Sequence, residues 1–279
     1  MGEVNAMKLM TLLENTGSGN TSLHHEHGLS VFLECGTKRY IFDFGPTEKS
    51  LENARRLGVP VEKADFLIGS HGHYDHSGGY PAFVAAGCRQ PLVTGAGYFR
   101  RKYSVEGIKC TYLGNSFDEV FLKAHGIEHR VCRDVLALSE TEFVVSGFTR
   151  RYEFEAPPER FVLRDGDRFV RDDFSDEVCF VHKLKDGLFV LVGCSHPGIL
   201  NILSSVQERF RMPVIGVVGG THLMEASEER IRRTLTIVKG LGLRFVGFNH
   251  CSGALFQKIV EQDPDINAVH LGTGQGLFL

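Results

Sequence analysis

The chain has 279 residues, 42% of them apolar and 21 of them Phe. A chain of that size buries roughly three quarters of its unfolded surface, so neither disulfides nor a structural metal is needed for stability. Its 31 basic and 34 acidic residues leave a net charge of −3, which excludes the basic excess that neutralises a phosphate backbone and makes a nucleic-acid partner unexpected.

Seven cysteines without a CxxC pair suit a reducing compartment better than a disulfide framework. No stretch approaches the roughly 18 uninterrupted apolar residues of a membrane span, and MGEVNAMKLMTLLENTGSGN lacks the pattern of a secretory leader. The expectation is a cytoplasmic protein, free of membranes, that acts on a small molecule.

In chain order, short apolar or alternating runs predict strands over 7–13, 29–35, 38–44, 65–70, 141–145, 178–184, 188–193, 213–218, 243–248 and 267–270. Gly36-Thr37 and Asp186-Gly187 separate neighbouring runs as hairpin turns, Asp-Gly because both central positions of a type I′ turn need positive φ. Helical spacing marks 47–57, 78–87, 117–125, 198–210, 225–241 and 253–262. In EERIRRTLTIVKGLG the apolar Ile231, Leu235 and Val238 share one face, and Gly240 is the expected C′ residue.

From residue 188 onward strands and helices alternate, which predicts a layered α/β fold with mixed sheets. Such folds often reach about 250 residues as one unit, so a single domain over 1–279 is expected. The polar, basic region around 97–135, with GYFRRKYSVEGIKC, reads either as an insertion shaping a pocket mouth or as a solvated surface excursion.

SHGHYDHSGG at 70–79 carries the chemistry. It follows the apolar run Phe66-Leu67-Ile68 and packs His71, His73, Asp75 and His76 into six positions. A loop at the C-terminal end of a strand is where open α/β sheets place their binding crevices. In an extended loop His71 and His73 point the same way and can share a cation, while Asp75 and His76 turn toward a second. Imidazole suits Zn, Mn or Fe, and a carboxylate suits a site that also holds water. The bland alternative is a surface cluster or a set of hydrogen-bonded core histidines. One histidine would favour that alternative; four ligand-type side chains in six positions reverse the odds.

Three further histidines each follow an apolar strand: His196 after 188–193, His222 after 213–218 and His250 after 243–248. His24, His25 and His27 precede a strand near the rim of the cleft. His125 and His129 have helical spacing but no accompanying acid, Cys251 is a buried neighbour of His250, and His182 and His270 read as structural. Asp43 reads as the carboxylate that orients a ligating imidazole through its other nitrogen.

SHGHYDHSGG resembles the HxHxDH signature of the metallo-β-lactamase superfamily, and IFDFG at 41–45 resembles its upstream strand-Asp-x-Gly segment. HEHGLS (25–30), LFVLVGCSHPGILN (188–201), VVGGTHL (217–223) and FNHCSG (248–253) resemble the branch that includes the archaeal 7,8-dihydropterin-6-methyl-4-(ribofuranosyl)aminobenzene 5′-phosphate synthase. The resemblance implies an αββα sandwich of two mixed sheets flanked by helices, with a dinuclear metal site at the sheet edges. It also implies a third histidine for the first metal from a loop before the 178–193 hairpin. RDGDRFVRDDFSDEV contains none, so His196 is the candidate to join His71 and His73. Cys194 matches the position of the bridging Asp or Cys, and His250 joins Asp75 and His76. His222 is either a ligand or a group that contacts substrate or donates a proton, and Asp75 and His222 are the candidate catalytic residues.

The implied activity is metal-dependent hydrolysis. Two divalent ions, Zn before Mn or Fe, bring the pKa of a shared water toward neutrality for attack on a phosphoester or on a phosphate-bearing pterin or ribosyl-type molecule. Lactone or thioester hydrolysis in the same fold is the alternative, and a non-catalytic metal sensor is a third, because fold does not fix substrate. No GxSxG elbow supports a serine nucleophile. FRRKYS at 99–104 groups Arg100, Arg101 and Lys102. Arg pairs bidentately with phosphate oxygens and Lys adds a point charge, so Arg101 and Lys102 are the candidate substrate-phosphate residues, against a solvated basic turn.

Overall fold

The computed structural model describes residues 6–279, and no helix among them is long and apolar enough to cross a membrane. The chain divides into two compact units. The first takes the chain up to Val131 together with Pro158–Asp176 and Leu271–Leu279; the second takes Cys132–Pro157 and Glu177–His270.

In the first unit, β1 (Met7–Leu13), β2 (Ser30–Cys35), β3 (Lys38–Phe42), β4 (Phe66–Ile68) and β5 (Leu92–Gly95) are central to a seven-stranded sheet. A second, four-stranded sheet contains the hairpin β6 (Lys102–Glu106) and β7 (Lys109–Tyr112). β8 (His129–Cys132) closes the larger sheet at one edge. The second unit holds a seven-stranded sheet of β9 (Val135–Ala137), β10 (Glu142–Val145), β13 (Cys179–Lys183), β14 (Leu188–Val192), β15 (Val214–Gly219), β16 (Phe245–Phe248) and β17 (Ala268–His270). The intervening β11 (Phe161–Asp165) and β12 (Arg168–Arg171) belong to the four-stranded sheet, and β18 (Gly276–Phe278) to the first seven-stranded one.

Both large sheets share one plan. Orders β18-β1-β2-β3-β4-β5-β8 and β17-β16-β15-β14-β13-β10-β9 each combine an antiparallel side with a parallel side. In the first, β18-β1-β2-β3 are antiparallel and β3-β4-β5 parallel; in the second, β9-β10-β13-β14 are antiparallel and β14-β15-β16-β17 parallel. Parallel neighbours end at the same sheet edge, so the loops leaving them are gathered there within each unit.

Helices α1 (Lys49–Arg56), α2 (Tyr74–Ser77), α3 (Tyr80–Ala85) and α4 (Glu119–Ala124) lie in the first unit, and α5 (Ile199–Phe210), α6 (Glu228–Gly240) and α7 (Ala254–Glu261) in the second. Leu51 and Ala54 of α1 and Phe83 and Val84 of α3 share a core with Leu12, Ile41, Leu67 and Leu92. On α5, Leu200, Leu203 and Val206 recur at helical spacing and share a core with Val190, Val192 and Val217. Each such side chain contributes roughly 1.5–3 kcal/mol by leaving water.

The end of one helix differs from expectation. α6 is capped by Ser227, whose side chain accepts the Arg230 N–H at 3.2 Å, but it runs through Gly240; the left-handed residue at its end is Gly242, with φ 72. The 97–135 region is ordered structure. Most of it forms the β6–β7 hairpin, α4 and β8, and β6 finds its second partner in β11, far along the chain.

Candidate metal centre

In the first unit β3 and β4 run parallel with Phe42 beside Ile68, so Asp43 and Ser70 leave the sheet together. Asp43 takes φ 60, a left-handed conformation that Asp tolerates better than most residues. Its fully buried carboxylate accepts the Ser70 N–H and the Ser70 hydroxyl, each at 2.7 Å, and faces His76 Nδ1 at 2.7 Å. The Ser70 hydroxyl also lies 2.9 Å from His71 Nδ1. A carboxylate can only accept, so the network places protons on both Nδ1 atoms and leaves Nε2 of His71 and His76 as the lone-pair nitrogens. Asp43 thus contacts one motif imidazole, His76, directly and a second, His71, through Ser70.

The motif residues gather tightly. The His71 ring centre lies 4.7 Å from that of His73 and 4.3 Å from that of His76, and His76 Nε2 is 3.7 Å from Asp75 Oδ2. A single turn of helix, α2, swings Asp75 and His76 back beside the two earlier histidines. All four residues are 6% exposed or less. Burial, then the neighbouring His76 and His73, hold the His71 pKa well below the usual histidine value, which favours the neutral imidazole, the form that can ligate a metal. Three buried imidazoles and a carboxylate are costly in an apolar interior unless they share a partner. Nitrogen and oxygen donors of this kind fit a borderline divalent ion such as Zn, and Mn or Fe as well.

His27 joins this unit's cluster, a reach the sequence left undefined. Its Nε2 lies 3.2 Å from Asp75 Oδ2 while its Nδ1 lies 3.4 Å from the Asn15 side-chain amide. His24 instead meets Glu52 at 2.8 Å.

Lys102 departs from expectation. A substrate-phosphate residue and a solvated basic turn both require an accessible ammonium, but Lys102 is 1% exposed, and its ammonium lies 2.7 Å from Asp172 and 2.8 Å from Asp176. Burial alone would depress its pKa, yet Asp176 and Asp172 outweigh burial and raise it above the usual lysine value. Lys102, the first residue of β6, is buried, while Arg101 just before the strand is exposed.

In the second unit three adjacent parallel strands deliver the remaining candidates: Cys194, Ser195 and His196 follow β14, His222 follows β15 and His250 follows β16. Ser195, His222 and His250 take φ values of 61, 50 and 52. Left-handed non-glycine residues cost about 1–3 kcal/mol each and concentrate at functional sites. Hydrogen bonds lace the loops together. Glu177 accepts the backbone N–H groups of Ser195 and His196. The Ser195 hydroxyl donates to Gly220 O at 2.7 Å, and Ser252 Oγ accepts the Thr221 N–H at 3.1 Å. Cys251 Sγ accepts the His222 N–H at 3.3 Å and donates to Cys194 O at 3.5 Å. The rings of His196 and His222 are 4.3 Å apart. Cys194, His196 and His250 are buried, and His222 is half-buried.

The remaining histidines do not join these groups. His125 ends α4 and His129 begins β8, so they share no helical face. His182 lies 2.7 Å from Glu142. Burial pushes the Glu142 carboxyl up, but hydrogen bonds with His182, Ser139 and Thr141 outweigh it and bring its pKa down to about 2.

Residues 26–87, which include His27, Asp43 and the whole motif, match the Metallo-beta-lactamase superfamily model. Along its length the chain is 28% identical over 287 residues, covering 98% of itself and 97% of the relative, to the 7,8-dihydropterin-6-methyl-4-(beta-D-ribofuranosyl)-aminobenzene-5'-phosphate synthase of Methanocaldococcus jannaschii. Among solved structures it is similar to a metal-dependent hydrolase of the β-lactamase superfamily, with a TM-score of 0.83, 27% identity and coverage of 97% of this chain and 98% of that one. A diphosphatase of the PhnP family shares the fold at a TM-score of 0.57 and 15% identity, over 98% of this chain and 97% of that one.

Proposed function

The chain carries a metallo-β-lactamase superfamily domain and that fold, and from this premise we propose that it is a metal-dependent hydrolase of phosphate-bearing small molecules. The observation that carries this reading is the buried cluster of His71, His73, Asp75 and His76, two of its imidazoles oriented from Asp43. We assign His71, His73, Asp75, His76, Cys194, His196 and His250 as ligands of two divalent ions, Zn first and Mn or Fe as alternatives. Ions held there supply a nucleophile at neutral pH and polarise the scissile bond.

The chain's own groups then have distinct tasks. Asp43 fixes which nitrogens of His71 and His76 are available. Asp75 brings negative charge to the cluster. Glu177 holds the backbone that carries His196. His222, half-buried and in a left-handed conformation, contacts substrate or hands a proton to the leaving oxygen in this reading. Arg101, exposed just before β6, takes a remote phosphate. The name of the archaeal relative, with its ribofuranosyl phosphate, supports that substrate class. The same name, a synthase, favours a second reading in which an acceptor other than water takes the transferred fragment.

One preparation assayed on phosphodiesters, phosphomonoesters, lactones and thioesters, with and without chelator, tests the reading. Chelator-sensitive turnover of a phosphoester is expected. Turnover confined to lactones or thioesters would move the substrate class, and no turnover by metal-loaded protein would point to a sensor.

A further inference from the structure

The first unit buries a second charged cluster that the proposed reaction leaves without a task. Lys102 lies against Asp172 and Asp176, and none of the three residues is more than 2% exposed. Ions removed from water cost several kcal/mol each before pairing, and apolar side chains of similar volume often do as well or better. Stability is therefore a weak reason for the cluster. What else do its carboxylates touch?

Asp176 Oδ1 faces Lys102 at 2.8 Å, and its Oδ2 accepts the backbone N–H of Gly72 at 2.8 Å. Gly72 is the residue between His71 and His73, and it admits no side chain, since a Cβ would stand 2.2 Å from Tyr98 O. Asp172 has a different second contact, accepting the Phe174 N–H at 2.8 Å. The Phe174 ring stands edge-on to His73 with centres 5.5 Å apart, and the Lys102 ammonium lies 4.9 Å from the centre of that ring. One ammonium against two carboxylates leaves a single net negative charge at the back of the ligand segment.

We infer that Lys102 and Asp176 are positioning residues for the metal ligands: the paired carboxylate grips Gly72 and sets the pose in which His71 and His73 meet a divalent cation. The inference rests on the metal reading above. Backbone held by a charged acceptor has less freedom than backbone held by water, so the two imidazoles are arranged before the ion arrives. Lys102 keeps the Asp176 carboxylate tolerable in the interior and fixes its direction.

The test uses the full chain stripped of metal and titrated with Co2+, read by its visible absorption and by competition with a chelator. Asp176→Asn is close to isosteric and leaves Lys102 paired with Asp172. It should keep the far-UV circular dichroism of the wild type, bind Co2+ roughly 10–100-fold more weakly and shift the absorption bands. Asp176→Glu keeps the charge but displaces the acceptor from Gly72, and it should shift the bands as well. Asp172→Asn removes a charge without touching Gly72 and should retain the wild-type bands. Wild-type bands and affinity in both Asp176 variants would overturn this inference and leave the metal reading standing. Bands moved equally by Asp172→Asn would overturn it too, since general charge rather than the Gly72 contact would then be responsible. Absence of Co2+ binding by the wild-type chain would remove the metal reading and this inference with it.

Discussion

Replacing Asp43 by Asn changes one atom type in a fully buried turn, and the consequences reach two histidines. Asn suits the left-handed φ of 60, and its carbonyl can keep the Ser70 N–H bond. Its amide nitrogen, however, lands where Oδ2 now meets both His76 Nδ1 and the Ser70 hydroxyl at 2.7 Å. A donor then faces a donor. Either the His76 bond is lost, or the imidazole moves its proton to Nε2 and can no longer offer that nitrogen to a metal. The Ser70 hydroxyl, now accepting from Asn, turns its proton toward His71 Nδ1 at 2.9 Å and drives the same tautomer change there. A hydrogen bond to a charged group is worth about 1.5–3 kcal/mol, which at 1.4 kcal/mol per decade is roughly 10–100-fold in affinity. Zinc affinity measured by chelator competition should fall by that factor in Asp43→Asn, with the apo protein's far-UV circular dichroism unchanged. Wild-type zinc affinity in the variant would refute the orienting role and reduce Asp43 to a turn residue.

Asp75→Asn should lose most turnover while remaining folded, because it removes the carboxylate beside His76; near-normal turnover measured at saturating substrate would argue for a site without that ligand. Glu142 offers a pH test. Its folded pKa of about 2 lies below the ordinary 4.5, so its stabilisation is complete above pH 4.5 and is lost as pH falls from 4.5 toward 2. At 1.36 kcal/mol per unit it contributes about 3 kcal/mol. Denaturant melts of Glu142→Gln should show a deficit of up to that size at pH 7 that closes below pH 3, and a deficit independent of pH would contradict the assignment. Arg101→Ala should raise KM for a phosphate-bearing substrate and leave a neutral ester or lactone unaffected; equal effects on both would mean that Arg101 only shapes the surface.

Much of the fold is legible because apolar periodicity survives where strands are buried. LFVLV of β14 is buried at all five positions and reads as a central strand, which pairs antiparallel with β13 and parallel with β15. KCTY of β7 and RFVR of β12 are exposed along their whole length, so no hydrophobic pattern marks them, and the sheet they edge is joined by β6 pairing with β11 more than fifty residues away. The end of α6 slips from Gly240 to Gly242 because helix ends depend on capping geometry more than on composition. The candidate site is legible because four ligand-type side chains within six residues need no tertiary information to be noticed. Lys102 is misread for the converse reason: Asp172 and Asp176 lie 70 and 74 residues away, so the neutralising partners cannot be seen locally. His27 likewise reaches Asp75 from a distant part of the sequence, and only the loop geometry of the first unit reveals it.

The most direct test of the central claim is the metal content of the purified chain, measured by elemental analysis on protein produced with adequate metal supply and freed of loosely bound ions. The assignment of seven ligands predicts about two transition-metal ions per chain. A chain that retains none would contradict it.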